Sequence, residues 1–429
     1  MGRMVYFSLP AHGHINPTLP VIRELVRRQE QVVYFGAEQF RRVIRDTGAS
    51  FRPYPAEIRM PEQGPGPFAR VSTTLETLLE WSRVALDCHL EQVRKLRPTH
   101  IMYDSFAPWG RMAAQILRLP SIASIPSILV NGEIDARYGR GPGMAPADPG
   151  LTPEWYGGFR ARCHAGLLRY GLPGIPSPPQ LLQSYGDCNV AYTSRLFQPL
   201  AEAFDAGRFR FVGPCFEFRP GAPPFPFEWL DGRRLALVSL GTMYGNPRFL
   251  RMCLEDLADG PWQVVMSTGG CLPVESLGAI PGNCMVRSFV PQIEILRRAA
   301  VFVTHGGMNS VQEALYHGVP LVMAPQAADQ FWISARTVEL GAGLALDPLR
   351  TEAGDIRGSV AKVLSGACYT AAATRIGASL RAAGGQMRAA DEIQRFVRDG
   401  AFKPAMWSPG HDLESSPPIA GAIASYSIS

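Results

Sequence analysis

Two short stretches of the chain place imidazoles where a ligand could meet them. Residues 8–17 read SLPAHGHINP, with His12 and His14 on either side of a glycine and Asn16-Pro17 behind them. Residues 301–310 read VFVTHGGMNS, with His305 ahead of two glycines and Asn309-Ser310 after them. Imidazole titrates near neutral pH, so a histidine oriented by a carboxylate can take a proton from an attacking hydroxyl. Asp104 ends the apolar run IMYD and is the carboxylate that would pair with His14. His14 could instead cap or pack the turn, and His12 reads as a turn stabiliser. The second stretch suits an anion, because glycines and a helix N-terminus present backbone N–H groups and the helix dipole favours negative charge there. His305 would add an imidazole donor and Ser310 a hydroxyl. No Gly-Lys-Ser/Thr follows, so this is not a P-loop, and a diphosphate would be held without a lysine. A strand–helix turn that needs glycine only for packing has the same signature.

Other chemistries are disfavoured. The chain has no Asp-x-Asp and no His-Glu-x-x-His, which argues against an acid-chelated Mg²⁺ or Mn²⁺ and against a zinc hydrolase. Its eight cysteines are scattered, with no two at CxxC spacing, as expected of reduced and mostly buried thiols. The net charge of +5 permits an anionic small ligand, but no basic run suggests nucleic acid. No apolar run approaches the ~18 residues of a membrane span, and the N-terminus lacks a secretory pattern. A cytoplasmic protein without membrane insertion is the expectation.

The elements that must carry these turns come in two alternating series. MVYFSL (4–9), VVYF (32–35), IMYD (101–104), SIASI (121–125), NVAYTS (189–194) and RFVG (210–213) read as strands. In this reading Asn16 caps, and Pro17 opens, the helix that follows the first of them. A stretch holding Pro220, Pro223, Pro224 and Pro226 has linker composition. Beyond it LALVSLG (235–241), QVVMSTG (263–269), MVRSFV (285–290), VFVTHGG (301–307) and PLVMAP (320–325) form the second series. Helical patterns lie at about 247–258, 292–299, 309–317 and 329–340, with two more ending near residue 402. This predicts an α/β fold of two doubly wound, Rossmann-like domains facing across a cleft. The boundaries are 1–215, a linker at 216–232, a second domain at 233–385, a C-terminal helix at 386–402 returning to the first domain, and a flexible tail at 403–429. Ligands of such sheets bind at the carboxyl ends of the strands, so the site belongs between the domains.

PAHGHINPTLPVIRELV and FVPQIEILRRAAVFVTHGGMNSVQEALYHGVPLVMAPQAADQ together resemble the inverting, GT-B-fold, nucleotide-sugar-dependent glycosyltransferases. Bacterial macrolide and flavonoid glucosyltransferases are the nearest subgroup, and the likeness runs over roughly residues 4–400. It implies an acceptor-binding first domain and a donor-binding second domain. By motif, it implies that His14 is the base and Asp104 its orienting partner. Phe289 would stack on the nucleobase with Gln292 beside base and ribose. His305, Gly307, Asn309 and Ser310 would bind the diphosphate, with Ser239 and Thr242 facing it, and Glu313 would take the ribose hydroxyls. Asp329 and Gln330 would meet the donor sugar. Without the motif, Glu313 would read as a solvated charge, Phe289 as core and Asp329-Gln330 as a helix cap.

The implied reaction is one displacement, converting an α-linked UDP-glucose into a β-glycoside without a metal or resident cofactor. A carboxylate–amide pair suits a fully hydroxylated sugar, which favours UDP-glucose over a TDP-deoxysugar. The partners expected are thus a UDP-sugar and a lipophilic hydroxyl acceptor such as a polyphenol or macrolide. Candidate acceptor walls are Phe68–Trp81, Phe106–Trp109 and residues 131–186, with Trp109 alternatively core. A nucleotide-sugar epimerase or hydrolase, and a non-catalytic nucleotide-sugar-binding protein, are the competing readings. One departure from the family stands out: Gln29-Glu30 replaces a Gly-His turn after RELVRR.

Overall fold

The computed structural model describes residues 2–60, 70–138, 148, 150–172, 176–216, 223–241, 246–270, 272–347 and 350–400. Thr242, Phe68, part of the linker and the tail lie outside the described residues.

The first sheet contains β1 (Arg3–Phe7), β2 (Gln31–Gly36), β3 (Ser50–Pro53), β4 (His100–Asp104), β5 (Ser121–Ile125), β6 (Cys188–Ala191) and β7 (Phe209–Phe211). Their order is β3-β2-β1-β4-β5-β6-β7, and every pairing is parallel. The second contains β8 (Arg234–Ser239), β9 (Trp262–Ser267), β10 (Cys284–Arg287), β11 (Ala299–Thr304), β12 (Leu321–Met323) and β13 (Gly343–Ala345), again all parallel, in the order β10-β9-β8-β11-β12-β13. These are the two Rossmann-like domains expected.

Parallel sheets are covered on both faces, which is why their strands read as unbroken apolar runs. Side chains alternate between the faces. Val5 and Phe7 join one core cluster while Met4 and Tyr6 join the opposite one. Leu235 and Leu237 are divided from Ala236 and Val238 in the same way. β3 and β13 were not anticipated; both are short edge strands, the first ending at a proline and the second starting at a glycine.

The helix Gly385–Asp399 buries Ala389, Ala390 and Ile393 in the same cluster as Met4, Tyr6 and Ile22 of the first domain. Arg28 and Asp391 pair at 2.6 Å beside it, and Arg210 pairs with the buried Glu392 at 3.0 Å.

One local reading needs correction. The chain is already helical at His12–Ile15, with Ala11 as N-cap, and continues as Thr18–Arg27. Asn16 has αR dihedrals (φ −53°, ψ −45°), so it lies inside a nearly continuous helical path rather than capping one. Gln29, where the family has glycine, adopts φ 67°. A side chain there costs about 1 kcal/mol, so the local turn geometry is kept at the expense of some strain.

Candidate active site

In each sheet the strand order reverses between two neighbours, β1 and β4 in the first, β8 and β11 in the second. Chain segments leaving such a pair diverge and open a crevice. β1 and β4 run in register, Phe7 beside Tyr103, so the helix His12–Ile15 and the last residue of β4 meet at one edge. There His14 Nδ1 lies 2.9 Å from Oδ2 and 3.1 Å from Oδ1 of Asp104. Asp104 is fully buried, whereas 22% of the His14 side chain is exposed. The Phe106 backbone N–H donates to Asp104 Oδ1 at 2.8 Å, and the Phe106 ring stands edge-on to His14 at 5.1 Å. With Nδ1–H committed to the carboxylate, Nε2 is the atom able to accept a proton. Desolvation pulls the His14 pKa down, but the charge and hydrogen bond of Asp104, helped by Asp329, outweigh it and leave the pKa raised.

The crevice of the second domain is built around His305. A Cβ on Gly241 would come within 2.9 Å of its ring, and one on Gly307 within 2.4 Å of Nε2, so only glycine admits the imidazole between them. Burial pushes the His305 pKa down to about 4, against a hydrogen bond to the Ser239 backbone, and the ring is neutral at physiological pH. Gly307 is the N-cap of the helix Met308–Tyr316 and supplies no side-chain cap. The first N–H groups of that helix therefore have no partner within it. Ser239 is buried at the end of β8, its Oγ 3.4 Å from the Gly241 N–H.

One turn along, the buried Glu313 accepts from Gln292 Nε2 at 2.7 Å, and Ser310 Oγ lies 3.5 Å from the same nitrogen. Phe289 is 55% exposed and packs over Gly270, where a Cβ would lie 2.7 Å from its ring. An exposed aromatic face has the chemistry of a stacking platform, and the Glu313–Gln292 carboxylate–amide pair that of a diol site.

The two crevices touch. Asn309 Nδ2 donates to the Gly13 carbonyl at 2.9 Å, joining the two histidine turns directly. The Ser127 hydroxyl donates to Asp329 Oδ2. Asp329 is the N-cap of Gln330–Glu339 yet makes no capping bond; its carboxylate crosses to the first domain instead. Burial raises the Asp329 pKa, with Ser127 and His14 opposing the rise. Gln330 is buried, and its Oε1 accepts from the N–H groups of Gln326 (2.8 Å) and Ala327 (3.2 Å).

Contacts thus pair His14 with Asp104, and across the cleft Gly13 with Asn309 and Ser127 with Asp329, while Gln292 at the start of the helix Gln292–Leu296 meets Ser310 and Glu313 of the helix Met308–Tyr316. Ser127 and the Phe106 backbone were missed. The signal for Ser127 was available, since it follows β5 at the same sheet edge as Asp104. Trp109 and Trp81 are not pocket walls. Both are buried in the first domain's core, their rings edge-to-face at 6.4 Å, and Trp109 Nε1 donates to the Tyr54 hydroxyl at 3.1 Å. Among the described residues no group of three metal-ligating side chains occurs, and no helix is long and apolar enough to cross a membrane.

Residues 258–392 match the family model described as the C-terminal domain of erythromycin biosynthesis protein CIII-like proteins. Over 405 residues the chain is 32% identical to the uncharacterized UDP-glucosyltransferase YojK of Bacillus subtilis, covering 93% of this chain and 98% of that protein. The chain belongs to the GT-B glycosyltransferase family. A second relative, the demethyllactenocin mycarosyltransferase of Streptomyces fradiae, is 33% identical over 421 residues, 94% of this chain and 88% of that protein. Among solved structures, the kitacinnamycin glycosyltransferase superposes with a TM-score of 0.77 at 30% identity, covering 92% of this chain and 98% of that one. As a GT-B glycosyltransferase the protein uses a nucleotide-sugar donor and a small-molecule acceptor.

Proposed function

We propose that the protein is an inverting glucosyltransferase moving glucose from UDP-glucose to a hydroxyl of a lipophilic small molecule, without a metal. The observation that carries this reading is the His14–Asp104 pair, placed beside the Asn309–Gly13 contact that joins it to the anion-facing helix of the second domain. His14 Nε2 removes the acceptor proton as the oxygen attacks the anomeric carbon, and Asp104 holds the tautomer and stabilises the imidazolium that forms. The helix from Met308, with the neutral His305 as a donor, stabilises charge on the departing diphosphate. Phe289 stacks on the base, and Glu313, held by Gln292, binds the ribose diol.

A second donor reading has an observation in its favour. The Gln330 carbonyl is already engaged by the 326–327 backbone, and the Asp329 carboxylate by Ser127. Fewer groups are then left for sugar hydroxyls, which suits a TDP-deoxysugar; the mycarosyltransferase relative points the same way.

The test mixes protein, EDTA and a flavonol with UDP-glucose or a TDP-deoxysugar, following nucleotide release and product mass. A gain of one hexose from UDP-glucose supports the first reading. Turnover with the TDP donor alone supports the second, and nucleotide release without any acceptor product sinks both.

A further inference from the structure

The helix Gln330–Glu339 carries the donor-sugar candidates at one end and a second group of cross-domain contacts at the other. Ten residues of helix span about 15 Å. At its start Ser127 holds Asp329. At its end Glu339 accepts from both Arg137 and the Tyr138 hydroxyl. Arg336 pairs with Glu339 at 2.7 Å and donates to the carbonyls of Phe197 (3.0 Å) and Leu196 (2.8 Å) in the first domain. Between the ends, Trp332 and Ala335 pack on the first domain's core while Ile333 is buried in the second domain's. One stretch of the first domain, from Ser127 to Tyr138, therefore grips both ends of a helix that belongs to the second domain.

We propose that this grip is a positioning device: Glu339, with Tyr138 and Arg137, fixes the helix so that Asp329 and Gln330 are presented to the donor sugar in register with His14. The inference rests on the reading that Asp329 and Gln330 meet that sugar. The groups proposed for base, ribose and diphosphate lie on other elements, so nucleotide affinity is independent of the grip, whereas alignment of the anomeric carbon with His14 is not. Without the Glu339 contacts only the Arg336 bonds to Leu196 and Phe197 would hold the far end, leaving the helix freer to shift, and small displacements of a reacting centre are costly in rate. Water would then compete better with the acceptor for the misaligned donor.

The experiment compares wild type with Tyr138→Phe, Glu339→Gln and the double variant. Three quantities are read: kcat for transfer, the ratio of transfer to donor hydrolysis, and UDP affinity by calorimetry. Amide exchange over residues 330–339 is measured in parallel. Expected are a fall in kcat of at least about tenfold, a lower transfer-to-hydrolysis ratio, UDP affinity within about twofold of wild type, and faster exchange in the helix. The double variant should be no worse than the poorer single one, since both remove the same contact. Wild-type kcat and ratio would overturn the proposal. So would UDP affinity falling in step with kcat, because that marks general destabilisation. If wild type itself transfers no sugar from any nucleotide donor, the functional reading fails instead. Unchanged exchange over 330–339 in the variants would then still overturn the grip.

Discussion

His14 and His305 stand in turns of the same build, each leaving a central strand and each at the start of a helix, yet their protons are held in opposite ways. His14 faces a buried carboxylate at 2.9 Å and its pKa is raised. His305 is wedged between Gly241 and Gly307, against the Ser239 backbone, and its pKa is pushed down to about 4. The first ring can store the proton taken from an acceptor; the second stays neutral and can form hydrogen bonds without taking up that proton. The motif alone does not distinguish them. The neighbour does, because a strand ending in Asp104 lies beside β1 and the strand beside β11 ends in Ser239.

The largest effect should come from removing each ring in turn. His14→Ala is expected to lower kcat by roughly a hundred- to ten-thousand-fold. His305→Ala loses only one hydrogen bond to the departing diphosphate and should lower kcat by about tenfold or less. Equal losses in both variants, in a nucleotide-release assay with product mass as the check, would erase the distinction.

Gly307→Ala sharpens the contrast from the other side. Its methyl group would sit 2.4 Å from His305 Nε2, so the ring or the helix start must shift. UDP affinity by calorimetry should weaken about tenfold, with the His14 titration unchanged. Glu313→Gln should raise donor KM several-fold and leave kcat within about twofold, since a ribose contact is the same in ground and transition states.

Much of this was legible in the sequence, for a physical reason. Central parallel strands are buried on both faces, so IMYD and VFVT announce themselves, and the turns that follow them must lie at the carboxyl edge. The pairing of His14 with Asp104 needed only that β1 and β4 be neighbours. The cross-domain bonds were not legible. Asn309 to Gly13 and Ser127 to Asp329 depend on how two independently wound sheets are placed against each other, and no local pattern encodes that. Trp109 illustrates a different gap: an aromatic in a loop-to-helix segment next to the site reads as a wall until its burial is known. The helix start at His12 was masked by Asn16-Pro17, a sound capping pair that here continues a helix already begun.

The smallest effect lies away from both turns. Gln29→Gly relieves the φ 67° position at the end of Thr18–Arg27. It should raise thermal stability by about 0.5–1 kcal/mol, visible as a modest increase in Tm, with kinetics unchanged. No change in Tm would mean the turn carries no strain.

The most direct test of the central claim, that Asp104 makes His14 the base, is the acid limb of kcat/KM against pH for wild type and Asp104→Asn. A general base works only when unprotonated, so a raised pKa places the wild-type limb above 6.5. Without the Asp104 carboxylate the desolvation of His14 is opposed only by the charge of Asp329, and the limb should move to lower pH while kcat falls. Superimposable limbs, or a wild-type limb already below 6.5, would contradict the account.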